Sequence, residues 1–225
     1  MPEPNRVEAI TQSWDANAEA WTHAVREQQI ESRRLVTDQA ILDAILALEP
    51  KRVLDVGCGE GWLCRALAEQ GVRAIGIDAS ASLVEAARGR RGGHFAVISY
   101  EDIVTDSARV PHGPFDAVVC NFALLADEIQ PLLRALRELI SIGGALVIQT
   151  VHPWSSRGEA PYADGWRTED FTSMGKGFTH VMPWYYRTLT SWVDELNQAG
   201  WQVCSLAEPL HPETGLPLSL VVVAE

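Results

Sequence analysis

The chain has 225 residues, 47% of them hydrophobic, enough for one buried core and for one or at most two domains. Its 18 basic and 30 acidic side chains leave a net charge of −12, which repels phosphate backbones and argues against nucleic acid as a partner. No apolar run approaches the roughly 20 residues of a membrane span, and the start (MPEPNRVEAITQSW) has neither the basic head nor the apolar centre of a signal peptide. Cys58, Cys64, Cys120 and Cys204 form no C-x-x-C pair, so they read as free thiols of a soluble cytoplasmic protein.

Ile10, Trp14, Ala18, Trp21 and Val25 recur at spacings of four and three, an amphipathic helix with two tryptophans on its apolar stripe. Ser32 is placed to cap a second helix carrying Leu35, Leu42, Ile45 and Leu46 and stopping at Pro50. A different rhythm follows. Arg52–Val56 reads as a strand, Trp62–Gln70 as a helix ended by Gly71, Val72–Ile77 as a strand, Ser80–Arg88 as a helix and Phe95–Ile98 as a strand. Phe115–Cys120 is a fourth strand, Asp127–Ile140 a helix with Pro131 in its first turn, and Ala145–Thr150 a fifth strand. Strands alternating with helices predict an α/β fold, a parallel sheet with helices on both faces. The alternation breaks over Val151–Arg187, an aromatic-rich stretch that reads as a long loop, and a loop of that length inside a domain is usually functional or mobile. Thr190 or Ser191 then opens a helix closed by Gly200, and Trp201–Leu206 and Leu218–Ala224 read as two strands joined by a short turn, hence antiparallel.

Val53-Leu54-Asp55-Val56-Gly57-Cys58-Gly59-Glu60-Gly61 lies between a strand and a helix, where glycines let backbone amides approach a ligand. The dinucleotide fingerprint G-x-G-x-x-G would need glycine at position 62, which is Trp62. The spacing is instead G-x-G-x-G with Asp55 two residues ahead, a fixed negative charge that suits an ammonium-bearing ligand better than a pyrophosphate. Asp78 ends the next strand, 21 positions after Gly57, where a carboxylate can accept both hydroxyls of a ribose. Alone, that arrangement is also an ordinary strand-to-helix turn; together with the glycine loop it points to a nucleoside ligand.

Residues 53–61 and Gly76-Ile77-Asp78-Ala79-Ser80 resemble the first two motifs of class I S-adenosylmethionine-dependent methyltransferases, in particular the small-molecule branch typified by quinone-biosynthesis enzymes. The resemblance covers roughly residues 50–150. It implies a Rossmann-like three-layer sandwich whose seven-stranded, mostly parallel sheet has its last strand antiparallel. It also implies a single domain over 1–225: an N-terminal helical cap (1–49), a cofactor-binding core (50–150), an acceptor-site insertion (151–187) and a closing helix with strands (188–225). The implied cofactor is S-adenosyl-L-methionine, leaving as S-adenosyl-L-homocysteine. Gly57, Cys58 and Gly59 would pass its methionine part, with Asp55 near the ammonium group, Asp78 on the ribose and Ala79 beside the adenine. The contact to the adenine amino group falls to Ser99, Asp102 or the Tyr100 backbone, because the family's acid at the end of the third strand is Ser99 here. Asn121-Phe122 stands where the family cradles the reacting end of the cofactor. Asn121-Phe122-Ala123-Leu124 is not the D/N-P-P-Y/F motif of amino-methylating branches, which argues against adenine-N6 or glutamine-N5 as acceptor atoms. Trp14 and Trp21 resemble the cap of similar enzymes, and Arg33 or Arg34 would meet the cofactor carboxylate.

His152, just past the fifth strand, lies at the rim where open α/β sheets bind ligands, and an imidazole suits a general base. The same residue could simply hold the His152-Pro153 turn. Tyr186 is a second catalytic candidate, with His180, Tyr185 and Arg187 beside it in the aromatic stretch. An acceptor bearing a carboxylate would want Arg157, Arg167 or Arg187 near it. No metal site is expected, since the six histidines are scattered and the cysteines do not cluster. The partner expected is therefore a small-molecule acceptor, with no nucleic acid and no membrane, and an apolar patch at the insertion would serve equally as a homodimer contact. The competing readings are a nicotinamide-dependent oxidoreductase, disfavoured by Trp62 and Asp55, and a cofactor-binding module without chemistry.

Overall fold

Val53, Leu54 and Val56 of the first strand, β1 (Arg52–Val56), and Ala117–Cys120 of β4 (Phe115–Asn121) are buried to within 1%. Continuous burial of this kind needs a sheet covered on both faces. The computed structural model, which describes residues 5–225, supplies one. Its main sheet has the order β3-β2-β1-β4-β5-β9-β8, where β2 is Arg73–Asp78, β3 His94–Val97, β5 Ile140–Val151, β8 Val203–Ala207 and β9 Ser219–Ala224. Strands β1 to β5 are parallel neighbours, whereas β9 runs antiparallel to both β5 and β8. The seven-stranded sheet with its last strand antiparallel is thus as expected.

One face is covered by α5 (Tyr100–Thr105), α6 (Gln130–Leu136) and α7 (Leu189–Gln198), through Ile103, Leu132, Leu133, Leu136, Trp192 and Leu196. The other is covered by α2 (Asp38–Leu46) and α3 (Trp62–Glu69), through Ile41, Ile45, Leu63 and Leu67. The remaining helices are α1 (Arg6–Arg26) and α4 (Ala81–Arg88), which pack together, α4 also lying against β2 and β3. Residues 1–4, the first part of the expected cap, lie outside the described residues.

Four local expectations are corrected. Ser32 is already helical and makes no cap bond; the helix runs on through a π turn, Arg33–Thr37, directly into α2. The sixth helix begins at Gln130 and not at Asp127, because the Ala126 and Asp127 carbonyls accept from the Arg187 guanidinium, and Ile140 already pairs with Phe115 in β5. The last helix is capped by Thr188, whose hydroxyl accepts from the Ser191 amide, so it opens at Leu189, ahead of both Thr190 and Ser191. The aromatic stretch is not a loop throughout: β6 (Gly165–Glu169) and β7 (Met182–Tyr186) form an antiparallel hairpin, with Trp166 opposite Tyr185 and Arg167 opposite Trp184. Met182 and Phe171 from this segment join Ile10 of α1 in a small separate core, against which Trp14, Trp166, Phe178 and Trp184 pack.

Candidate active site

The strand order reverses between β1 and β4, and a crevice opens beyond the carboxyl ends of strands at such a switch point. The glycine loop leaves β1 at this place. Gly57 and Cys58 both donate from their amides to the Ile77 carbonyl at 2.8 and 3.0 Å, which ties the loop to β2. Gly57 has φ +78°, and a Cβ built on it would come within 2.6 Å of the Ala123 Cβ and 2.9 Å of the Tyr100 hydroxyl. Only glycine allows the loop to lie against the chain that follows β4. At Gly59, by contrast, an added Cβ would meet only the Trp21 Nε1, at 3.4 Å, so the cap helix itself closes over the loop.

Two carboxylates frame this loop. Asp55 is 1% exposed; its Oδ2 accepts from the Cys64 thiol at 3.7 Å, and its Oδ1 has no partner. Burial pushes its pKa up to about 7, and the charge on Asp78 adds to the rise. Asp78 accepts from the Gly59 amide at 2.8 Å through Oδ2 and from the Ser80 amide at 2.9 Å through Oδ1. Burial raises its pKa too, against those two bonds. Ala79 lies between these contacts, half-buried. Ser80 caps α4 and donates to Asp15 of α1 at 2.5 Å.

Ser99 is the N-cap of α5: its hydroxyl accepts from the Asp102 amide at 3.1 Å, and the Asp102 carboxylate accepts from the Ser99 amide at 2.9 Å. This reciprocal pair, the capping box, engages the side chains of both adenine candidates and pulls the Asp102 pKa down. The Tyr100 hydroxyl donates to the Ala123 carbonyl at 3.0 Å, and burial holds its pKa well above the ordinary value. Asn121 ends β4 with its Oδ1 buried and unpartnered. Phe122, at φ +53°, holds a backbone conformation rare for a bulky residue and donates its amide to the Gln149 carbonyl at 2.7 Å.

From the cap, Arg33 is 9% exposed, pairs with Asp38 at 2.8 Å and stacks over the Trp62 and Trp21 rings at 4.7 and 5.7 Å. Arg34 is exposed. Trp14 stands one ring further out, edge-on to Trp21 at 5.0 Å and to Phe171 at 5.8 Å. The structure therefore brings together Asp55, Gly57, Cys58, Gly59, Asp78, Tyr100, Asn121 and Phe122, with Arg33 and Trp14 above them.

His152 and Tyr186 form a second group, beneath the hairpin. His152 is 6% exposed; its Nε2 faces Glu208 Oε1 at 2.7 Å and its Nδ1 is buried without a partner. The Tyr186 hydroxyl donates to the Pro153 carbonyl at 2.5 Å, and the Arg167 guanidinium lies 3.4 Å over its ring. Burial raises the pKa of this phenol. His180, the remaining histidine of the segment, is exposed, and its backbone is held by Asn17. The two groups are linked where the Tyr185 amide donates to the Leu125 carbonyl at 2.8 Å.

Two site residues, Glu60 and Glu208, escape sequence reasoning. Glu60 is fully buried inside the glycine loop, between Arg26 at 2.8 Å and Arg65 at 2.5 Å, and so clamps the end of α1 to the loop. The Glu60 to Arg65 spacing was its only local signal. For Trp21, expected in the cap, the structure adds the close approach to Gly59. Glu208 had no signal, because the turn before β9 carries no motif.

Residues 27–206 match the family described as a methyltransferase domain, most of the chain. The chain belongs to that family. An uncharacterised methyltransferase of Mycobacterium tuberculosis is 34% identical over 146 residues, 64% of this chain and 73% of that protein. A ubiquinone biosynthesis O-methyltransferase of Xanthomonas campestris is 38% identical over 112 residues, 48% of this chain and 46% of that protein. Among solved structures, the Burkholderia thailandensis 1,6-didemethyltoxoflavin-N1-methyltransferase with bound S-adenosylhomocysteine shares the fold, with a TM-score of 0.66 at 18% identity over 100% of this chain and 91% of that one. The reading as a methyltransferase stands, and the nicotinamide alternative draws no support from these similarities. No helix among the described residues is long and apolar enough to cross a membrane.

Proposed function

We propose that this methyltransferase transfers a methyl group to a small-molecule acceptor seated beneath the β6–β7 hairpin, by in-line displacement. One observation carries the cofactor assignment: a fully buried carboxylate, Asp55, leaves one oxygen without a partner at the switch point, beside a glycine loop in backbone contact with Asp78. An unpaired buried carboxylate is costly, and a cationic ligand relieves that cost. The donor set fits S-adenosylmethionine, with Asp55 for the ammonium group, Asp78 for the ribose and the Gly57–Gly59 backbone for the methionine part. Ala79 and the Ser99–Tyr100 backbone would line the adenine. Asn121 and Phe122 would line the reacting end, and Arg33 and Trp14 would close the cap.

When bound, that cofactor supplies a methyl group already activated on a sulfonium. The chain's own part is alignment, exclusion of water and removal of a proton from the acceptor. We assign the last of these to His152. With Nε2–H donated to Glu208, the Nδ1 lone pair is free to take the proton, and the carboxylate steadies the imidazolium that results. Tyr186, with its hydroxyl engaged by Pro153, is assigned to the acceptor wall. The same reading makes residues 1–49 the cap, 50–150 the core, 151–187 the acceptor-site insertion and 188–225 the closing element of one cytoplasmic domain.

Isothermal titration with S-adenosylhomocysteine, and with NAD in a parallel cell, tests this. Micromolar binding of the first and none of the second is the expected result. Binding of NAD alone would overturn the assignment, and binding of neither would leave a module without chemistry.

A further inference from the structure

Three arginines of the aromatic segment could receive an anionic acceptor, and the structure separates them. Arg157 lies 4.2 Å over the exposed Trp154 ring and donates to the Ala160 carbonyl. Arg167 lies over Tyr186 and donates to the Ser156 and Pro161 carbonyls. Arg187 differs from both. It is 2% exposed, its Nη2 donates to the Ala126 and Asp127 carbonyls at 2.6 and 2.7 Å, and its Nε and Nη1 are buried with no partner. The carboxylates whose field reaches it, Glu195, Asp164 and Asp127, form no ion pair with it.

A buried guanidinium with two idle nitrogens is an expensive arrangement unless something else completes it. Arg187 lines a cavity of about 10 Å³ at the carboxyl end of β5, shared with Thr150, Val151 and Ser156 and walled by Trp184, Tyr185, Tyr186 and Trp192. That volume holds about one water-sized group. It is therefore the seat of a single polar atom of a ligand, with aromatic walls on either side of it. The carbonyls that Arg187 engages belong to the segment that follows β4, a few residues beyond Asn121 and Phe122.

We propose that Arg187 selects an acceptor carrying an oxyanion, a carboxylate or a phosphoryl group on a flat body, and that one oxygen of this anion takes the place in the cavity beside the guanidinium. The inference rests on the methyltransferase reading and adds the substrate class. Chemically it predicts that, among acceptors of the same shape, the charged one binds more tightly. The cation–π contacts of Arg187 with Tyr185 and Trp192, at 4.9 and 5.2 Å, hold the guanidinium in place for that purpose.

The test uses the full chain saturated with S-adenosylhomocysteine and titrated with 4-hydroxybenzoate, its methyl ester and phenyl phosphate. Binding of the ester at least about tenfold weaker than binding of one of the acids is expected, the usual consequence of losing a charge-assisted hydrogen bond. The two acids distinguish a carboxylate from a phosphoryl preference. R187Q should abolish the preference while S-adenosylhomocysteine still binds, and R187K should keep part of it. Equal binding of acid and ester, no binding of either acid at millimolar concentration, or a preference that survives R187Q would overturn the proposal. The wild-type comparison decides by itself if R187Q fails to fold. Failure of S-adenosylhomocysteine to bind would instead remove the reading on which the proposal rests.

Discussion

Asp78 does two jobs at once. Its carboxylate holds the Gly59 and Ser80 amides, so it shapes the glycine loop and the start of α4 before any ligand arrives. D78A should accordingly weaken S-adenosylhomocysteine binding by about 100-fold or more, through loss of both the ligand contact and the loop brace. Calorimetry on the folded variant, verified by circular dichroism, checks this, and wild-type affinity would contradict it. The His152–Glu208 pair makes a different prediction. H152A should leave cofactor affinity unchanged and lower turnover by about 100-fold. E208Q should cost less, because the imidazole keeps its lone pair but loses the carboxylate that orients it. A merely structural histidine would show neither effect.

The cap and the hairpin are held to the core by side chains buried between elements. Asn17 of α1 donates to the His180 carbonyl at 2.7 Å and accepts from the Thr179 amide at 2.9 Å, so one amide fixes the strand leading into β7. N17A removes those bonds and leaves backbone groups unpaired, at a cost of about 1–3 kcal/mol. Faster hydrogen exchange confined to residues 178–186 and α1 is the expected readout. Glu60 is the corresponding clamp on the other end of α1. E60Q leaves two arginines facing a neutral group inside the protein and should destabilise by about 3 kcal/mol, read as a lowered denaturation midpoint. In both cases the buried polar residue does what the small apolar cluster of Ile10, Phe171 and Met182 is too small to do alone.

For the molecule as a whole, the raised pKa of Asp55 couples stability to pH. The folded state holds the proton up to about pH 7, whereas an unfolded aspartate releases it near 3.8. Stability of the unliganded protein therefore falls as pH rises from about 4 through about 7 and levels off above. Asp78, raised in the same direction, adds to that slope. Affinity for S-adenosylhomocysteine should run the opposite way, rising through the same window as Asp55 ionises to meet the ligand's ammonium. D55N separates the two trends. At pH 8 its melting temperature should exceed that of the wild type by roughly 5 °C, while its affinity for the ligand drops. Thermal melts and titrations at pH 5 and pH 8 measure both, and a D55N protein with unchanged melting temperature and affinity would contradict the account.

The αβ rhythm, the glycine loop with Asp55, Asp78 and the antiparallel last strand were legible in the residues, because each follows from periodicity or from a turn that only certain side chains permit. Local corrections came where a distant group competed for the backbone. The Arg187 guanidinium takes the Ala126 and Asp127 carbonyls out of a helix, Thr188 caps ahead of Ser191, and the β6–β7 hairpin pairs strands whose partners lie across a long, irregular turn. Short-range signals contain no record of such partners. The same holds for the site. Sequence placed His152 at the rim, but its orientation depends on Glu208, 56 residues away. Sequence offered three arginines for an anionic acceptor, and only burial, which depends on what packs around each one, left Arg187 with unspent donors.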